Sequence, residues 1–132
     1  MRCRPSDTSN CQVTLRRQDF LIYSFSRFLK IQVDSTSLPS EAGDYTIAII
    51  PGGAKGAATL SESKAVQSLL QNFEKQRKYV GAICAGSLAI KTAGLVPGGS
   101  VTSHPSVEKQ FSGYNYSQDR VVVEGRVISS RG

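Results

Sequence analysis

Two short apolar runs, each ended by small residues, most constrain how this 132-residue chain can fold. Residues 45–50 and 79–83 are mostly β-branched or apolar, and a run that is apolar on both faces is typical of a strand buried within a parallel sheet. Between the two runs, apolar side chains recur at helical spacing, at Val66, Leu69, Leu70 and Phe73. Alternating strands and helices predict an α/β fold with a mostly parallel sheet.

Shorter elements are expected around these runs. We predict a strand at residues 28–33 and a helix that begins within residues 59–63, with Ser61 as its N-cap. A helical run is predicted from residue 84 to residue 91. Residues 121–129 contain two short β-branched runs around a glycine, which predicts a hairpin.

The charge is unevenly distributed along the chain. Sixteen basic and ten acidic residues give a net charge of +6. Residues 1–33 hold six basic and two acidic residues, whereas residues 34–132 hold ten and eight. A nearly neutral body argues against nucleic-acid binding, and no apolar run reaches the ~18 residues of a membrane-spanning helix. Three cysteines without a C-x-x-C pair favour neither a zinc site nor a disulfide framework, and indicate a reducing, intracellular setting.

The strongest local motif is Ala82-Ile83-Cys84-Ala85-Gly86, directly after the second apolar run. A nucleophile elbow places a reactive side chain on a tight strand-to-helix turn and requires small residues two places before and after it. Ala82 and Gly86 satisfy this requirement. The elbow would place the Cys84 sulfur at a helix N-terminus, which favours the nucleophilic thiolate. The alternative is that Cys84 is an inert core thiol.

A glycine-rich segment, Pro51-Gly52-Gly53-Ala54-Lys55-Gly56, follows the first apolar run. It lacks the spacing of nucleotide-binding loops, so nucleotide binding is disfavoured. Gly52 and Gly53 would instead let the backbone approach a substrate beside the elbow. Elbow enzymes use two backbone N–H groups to stabilise an oxyanion, and Gly53 and Ala85 are the candidates. The alternative is an ordinary tight turn.

His104 is the only histidine of the chain and follows a predicted strand end. Sites of α/β proteins gather at such ends, so a partner of the thiolate or a general base is its functional interpretation. A lone histidine without any catalytic role is the alternative.

Taken in order, five motifs resemble those of the ThiJ/PfpI superfamily, nearest to the branch of the Parkinsonism-associated protein deglycase. They are Pro51-Gly52-Gly53, Gly56-Ala57 with Leu60-Ser61, Ile83-Cys84-Ala85-Gly86, Thr102-Ser103-His104-Pro105 and Ser130-Arg131-Gly132. The resemblance implies a flavodoxin-like sandwich, similar to class I glutamine amidotransferases and usually dimeric. It implies Cys84 as nucleophile and redox site, with His104 beside it and Gly52, Gly53 and Ala85 at the substrate.

The activities implied by the resemblance are a cofactor-free, metal-free conversion of methylglyoxal to lactate and the deglycation of proteins. A chaperone and a sensor of oxidative stress are the non-enzymatic functions of the family. A homodimer and a cytoplasmic location, with the nucleus and mitochondria as further compartments, are expected. No nucleic acid or membrane is an expected partner.

The chain departs from the family pattern at both ends. The family glutamate that bonds the cysteine has no counterpart in residues 1–25, which contain no Glu. We therefore divide the chain into a basic segment, 1–25, and a partial ThiJ/PfpI-like domain, 26–132. Missing edge elements would leave apolar sheet surface exposed. Three hypotheses result: an impaired glyoxalase or deglycase, a non-catalytic redox sensor or stress chaperone acting through Cys84, or a truncated product without function.

Overall fold

The computed structural model describes Leu38 and residues 42–132, together with the backbone of two short strands at residues 22–24 and 30–32. These strands, β1 (Ile22–Ser24) and β2 (Lys30–Gln32), pair antiparallel. The centre of the strand predicted at 28–33 is therefore confirmed. The rest of the basic segment lies outside the described residues, and the domain boundary at residue 25 stays a prediction.

The other described elements follow one another along the chain. They are β3 (Ile47–Ile50), α1 (Ala54–Glu62), α2 (Lys64–Lys75), β4 (Tyr79–Ile83), a 3₁₀ turn (Cys84–Ser87), α3 (Leu88–Thr92), β5 (Ser100–Val101), a 3₁₀ helix (Pro105–Gln110), β6 (Asn115–Tyr116), β7 (Val121–Glu124) and β8 (Val127–Ser130).

A four-stranded sheet in the order β3-β4-β8-β7 forms the centre of the described structure. The β3–β4 and β4–β8 pairs are parallel, and the hairpin predicted at residues 121–129 supplies the antiparallel pair of β7 and β8. Strands β5 and β6 form a separate parallel pair. The prediction of an α/β fold with a mostly parallel sheet is confirmed.

The predicted start of the first helix is wrong. Helix α1 begins at Ala54, immediately after Gly53, because the positive φ of Gly53 (96°) turns the chain directly from the strand end into the helix. Ser61 is buried inside α1 and donates to the Ala58 carbonyl at 2.9 Å. The cap belongs to α2, where the Ser63 hydroxyl accepts from the backbone N–H of Val66 at 3.4 Å.

The predicted helical run 84–91 is divided in two. Residues 84–87 form a 3₁₀ turn, and helix α3 covers only Leu88–Thr92. A tight first turn follows from the sharp change of direction at the strand end, which packs the backbone of the turn against the end of β3.

One face of the central sheet packs against helices and forms the core. Alternate residues of the strands, including Ile50, Val80 and Val127, are buried on this face. The apolar stripe predicted on α2 is buried in the same cluster, with Leu70 fully enclosed and Phe73 nearly so. Burying each large side chain of this kind contributes roughly 1.5–3 kcal/mol to stability.

The opposite face of the sheet is apolar and exposed. Ile49 and Val123 lie in one row across the strands, and Ile83 and Val121 lie in the next. The exposed fractions of these four side chains range from 43% to 63%. Within the described part of the chain, these apolar side chains are therefore only partly covered. Mostly parallel sheets are usually covered on both faces.

Replacing the α2 cap should destabilise the fold. Ser63→Ala removes the acceptor for the Val66 N–H and should lower the free energy of unfolding by about 1 kcal/mol. Ser68→Ala, on the exposed side of the same helix, is the matched control and should leave stability unchanged or slightly raised. Denaturant unfolding measures both, and equal values for the two variants would contradict the assignment of Ser63 as the cap.

The two sheet faces should respond oppositely to charge. Val123→Lys, on the exposed face, should reduce binding of an apolar fluorescent dye and change stability by less than about 0.5 kcal/mol. Val127→Lys introduces a charge into the core and should abolish the cooperative melt. Comparable destabilisation by both substitutions would show that the Val123 face is covered.

Tyr114 should make stability fall at alkaline pH. Its hydroxyl donates to the Leu95 carbonyl at 2.8 Å, and burial, followed by the negative charge of Glu74, raises its pKa above the usual 10.0. Because the folded-state pKa is the higher one, this stabilisation is complete below about pH 10 and is lost as the pH rises through the folded value.

Tyr114→Phe should therefore flatten the alkaline fall in the free energy of unfolding. At neutral pH the substitution should lower the free energy of unfolding by about 1 kcal/mol, since the hydrogen bond to Leu95 is lost. The exposed Tyr79 provides the control Tyr79→Phe. An unchanged alkaline slope for Tyr114→Phe would contradict the prediction.

Candidate functional site

Cys84 lies on a left-handed turn between β4 and α3. Its φ of 60° is uncommon for a residue other than glycine and costs of order 1–3 kcal/mol, so it persists only where the surrounding structure enforces it. Ile83 before it is still extended, and the four residues that start at Cys84 form a 3₁₀ turn. The backbone therefore has the geometry of a nucleophile elbow, with a half-buried free thiol at its apex.

Gly86 allows this turn to lie against the end of β3. A Cβ at Gly86 would lie 2.9 Å from the Ile50 carbonyl oxygen and closer still to that of Pro51. Both neighbours are backbone atoms, so they cannot move aside as a flexible side chain would. Ala82, the other predicted small residue, is 2% exposed within β4. The contacts at Gly86 thus supply the physical reason for the small residue after Cys84.

Two glycines from the neighbouring strands flank the thiol. A Cβ at Gly52 would lie 2.8 Å from the Cβ and 3.4 Å from the Sγ of Cys84. A Cβ at Gly132 would lie 3.1 and 3.5 Å from the same two atoms. Gly52 follows β3 and Gly132 follows β8, the strands on either side of β4. At these two positions, a side chain would crowd Cys84, and glycine avoids this.

Gly132 was not among the predicted site residues. The signal was present in the sequence, since Gly132 ends the Ser-Arg-Gly motif, but the sequence does not show that β8 pairs with β4. Arg131 helps to place it: its backbone N–H donates to the Arg120 carbonyl at 3.0 Å, and its guanidinium donates to the side-chain oxygen of Gln118. The φ of Gly132 is 104°, which favours glycine there for a second reason.

One predicted backbone donor lies in this turn, and the other precedes α1. Ala85 is buried directly after Cys84. Gly53 is exposed, and a Cβ there would meet nothing within 4 Å, so its positive φ rather than a close approach accounts for the glycine. The oxyanion role of the two N–H groups stays a prediction.

His104 is exposed and begins the 3₁₀ helix that follows β5. Its Nδ1 accepts a hydrogen bond from the Ser106 backbone N–H at 3.2 Å and lies 2.8 Å from the Ser106 hydroxyl. The segment is tied to β8 because the Thr102 N–H donates to the Ser129 hydroxyl at 3.0 Å. The side-chain hydrogen bonds found for His104 go to Ser106 and not to Cys84, and its catalytic role stays a prediction.

Within the described residues, no cluster of three or more His, Cys, Asp or Glu side chains could hold a metal ion. The helices described here include none that is long and apolar enough to cross a membrane.

The sequence pattern of the DJ-1/PfpI family matches residues 9–132. The chain belongs to this family. It is 48% identical over 94 residues to the glutathione-independent glyoxalase DJ-1 of Schizosaccharomyces pombe, an alignment that covers 69% of this chain and 49% of that protein. It is 43% identical over 93 residues to the Parkinson disease protein 7 homolog of Danio rerio, covering 68% of this chain and 49% of that protein.

The solved structure of S. pombe DJ-1 matches with a TM-score of 0.74 and 40% identity, covering 85% of this chain and 63% of that chain. The expected flavodoxin-like fold is thereby confirmed. The chain spans about half the length of these two curated relatives.

Filling the space at Gly86 should unfold the elbow. Gly86→Ala forces a methyl group into the Ile50 and Pro51 carbonyls and should cost about 1–3 kcal/mol of stability. Gly56→Ala is the matched control, because a Cβ there meets nothing within 4 Å and Gly56 lies inside α1, so stability should rise by up to about 1 kcal/mol. Thermal melts distinguish the two, and a tolerated Gly86→Ala would contradict the packing of the elbow.

Proposed function

We propose that the chain is a cysteine-dependent, cofactor-free protein of the glyoxalase and deglycase type, in which Cys84 attacks reactive carbonyls such as methylglyoxal. The observation that carries the proposal is a half-buried thiol on a left-handed elbow, with glycines on both sides. The glyoxalase name of the S. pombe relative supports the same substrate class.

The proposed reaction begins when the Cys84 thiolate bonds to the aldehyde carbon of methylglyoxal. The carbonyl π electrons move to oxygen, and the N–H groups of Gly53 and Ala85 stabilise the resulting alkoxide before it takes a proton. The former aldehyde hydrogen then leaves as a proton, its electron pair forms a carbon–carbon double bond, and the ketone oxygen takes a proton. The adjacent carbon is protonated next while the former aldehyde oxygen loses its proton, which converts the adduct to a thioester. Water hydrolyses the thioester to lactate and releases the thiol.

Proton transfer between adjacent carbons needs an acid/base group beside the sulfur. The family resemblance assigns this role to a glutamate, and residues 1–25 contain none. Three of the carboxylates in residues 42–132 are engaged elsewhere: Glu108 accepts from Gln118, Asp119 from Ser117 and Glu124 from Ser100. We therefore propose that this chain forms the adduct but turns it over slowly. We also propose that the protein is a homodimer and is located in the cytoplasm.

Lactate formation from methylglyoxal tests the proposal. Cys84→Ala should abolish the enzymatic rate, since the nucleophile is lost. Cys11→Ala, which removes a cysteine far from the elbow in the sequence, is the matched control and should keep it. Equal lactate formation by Cys84→Ala and the unaltered chain would contradict the proposal.

A second candidate is a redox sensor that works without turnover. The half-buried thiol at the elbow favours it, because Cys84 is not fully enclosed and peroxide can reach its sulfur. Two molecules of peroxide would oxidise the thiolate to a sulfinate and be reduced to water. A sensor predicts that oxidation shifts the melting temperature of the chain and leaves that of Cys84→Ala unchanged. An unchanged melting temperature of the oxidised chain would contradict this function. A non-cooperative melt would instead favour the hypothesis of a truncated product without function.

A further inference from the structure

The hydrogen bonds around His104 indicate which nitrogen of its neutral ring carries the proton. A backbone N–H can only donate, so the bond from the Ser106 N–H requires a lone pair on Nδ1. The Ser106 hydroxyl lies 2.8 Å from Nδ1, and which of the two groups donates depends on the tautomer; with the lone pair on Nδ1, the hydroxyl is the donor. In a neutral imidazole one nitrogen carries the proton, and with Nδ1 accepting, that nitrogen is Nε2.

We propose that His104 acts in the site as a hydrogen-bond donor through Nε2–H, and that Ser106 is the positioning residue that selects this tautomer. A histidine that removes protons through Nε2 needs its own proton on Nδ1, normally held by a carboxylate or a carbonyl. Here the Ser106 N–H, a donor, occupies the position beside Nδ1 where such an acceptor would lie. The Nε2–H group therefore suits an oxygen acceptor of a ligand, such as a carbonyl or a carboxylate, rather than a proton to be removed.

The backbone around His104 is held in the conformation that this arrangement needs. The Tyr116 hydroxyl donates to the Ser103 carbonyl at 3.0 Å, and the Ser103 hydroxyl donates to the His104 carbonyl at 3.1 Å. Pro105 has its φ restricted by its ring and starts the 3₁₀ helix that brings the Ser106 N–H onto Nδ1. The imidazole is thus the N-cap of a turn anchored on both sides, rather than a side chain on a free loop.

The tautomer is a property of the chain by itself, and only the use of the Nε2–H group on a reacting carbonyl rests on the proposed function. Absence of lactate formation would contradict that function and leave the assigned tautomer unaffected. A neutral ring protonated on Nδ1 would contradict the donor role even if lactate is formed.

Nitrogen NMR of the full chain tests the proposal directly, because a single histidine gives unambiguous signals. At alkaline pH, where imidazole is neutral, Nδ1 should resonate as an unprotonated nitrogen and Nε2 as a protonated one. A coupling between the Ser106 amide nitrogen and Nδ1 should be detected across the hydrogen bond. A ring protonated on Nδ1, or absence of that coupling, would overturn the proposal.

Two variants distinguish the contribution of the Ser106 backbone N–H from that of its hydroxyl. Ser106→Ala keeps the backbone N–H and should keep the protonated Nε2. Ser106→Pro removes both donors at a position near the start of a turn, where proline is tolerated, and should raise the fraction of rings protonated on Nδ1. A folded Ser106→Pro variant with an unchanged tautomer ratio would show that Ser106 does not select it. Should Ser106→Pro fail to fold, the coupling in the unaltered chain decides.

Discussion

The close approach of two pieces of backbone underlies this site. The turn at Gly86 packs onto the Ile50 and Pro51 carbonyl oxygens with no room for a Cβ. That contact ties the end of β3 to the start of the 3₁₀ turn after β4. It supplies the tertiary restraint that a left-handed Cys84 requires, since an isolated residue with this φ would relax.

The surroundings of the sulfur follow from the strand order. Because β4 lies between β3 and β8, the chain segments that leave those two strands pass on either side of Cys84. Gly52 and Gly132 occupy these positions, so backbone without Cβ atoms lies beside Cys84 on both sides. A side chain at either position would crowd Cys84 and hinder a chemistry that adds a carbonyl carbon or oxygen to the sulfur.

Local patterns in the sequence predicted the elbow well, because its requirement for small residues is set within five positions. The start of α1 was not predictable from periodicity, since Gly56 and Thr59 are weak helix formers and the chain turns at Gly53 without a side-chain cap. Gly132 and the capping bond of His104 were missed for a different reason. One depends on the pairing of β4 with β8, and the other on a ring orientation that the sequence does not encode locally.

The exposed sheet face and the site meet at the end of β4. Ile83 projects onto the uncovered face immediately before Cys84 turns away, so the elbow lies at the border between the packed and the exposed side of the sheet. The chain spans about half the length of the two curated relatives.

We infer that the elbow makes Cys84 the reactive thiol of the chain. Peptide mass spectrometry after a short exposure to dilute peroxide tests it most directly, because Cys3 and Cys11 serve as internal controls. The Cys84 peptide should gain two oxygen atoms before the other cysteines are oxidised, and unfolding the chain first should remove this preference. Uniform oxidation of all three cysteines in the folded chain would contradict the claim.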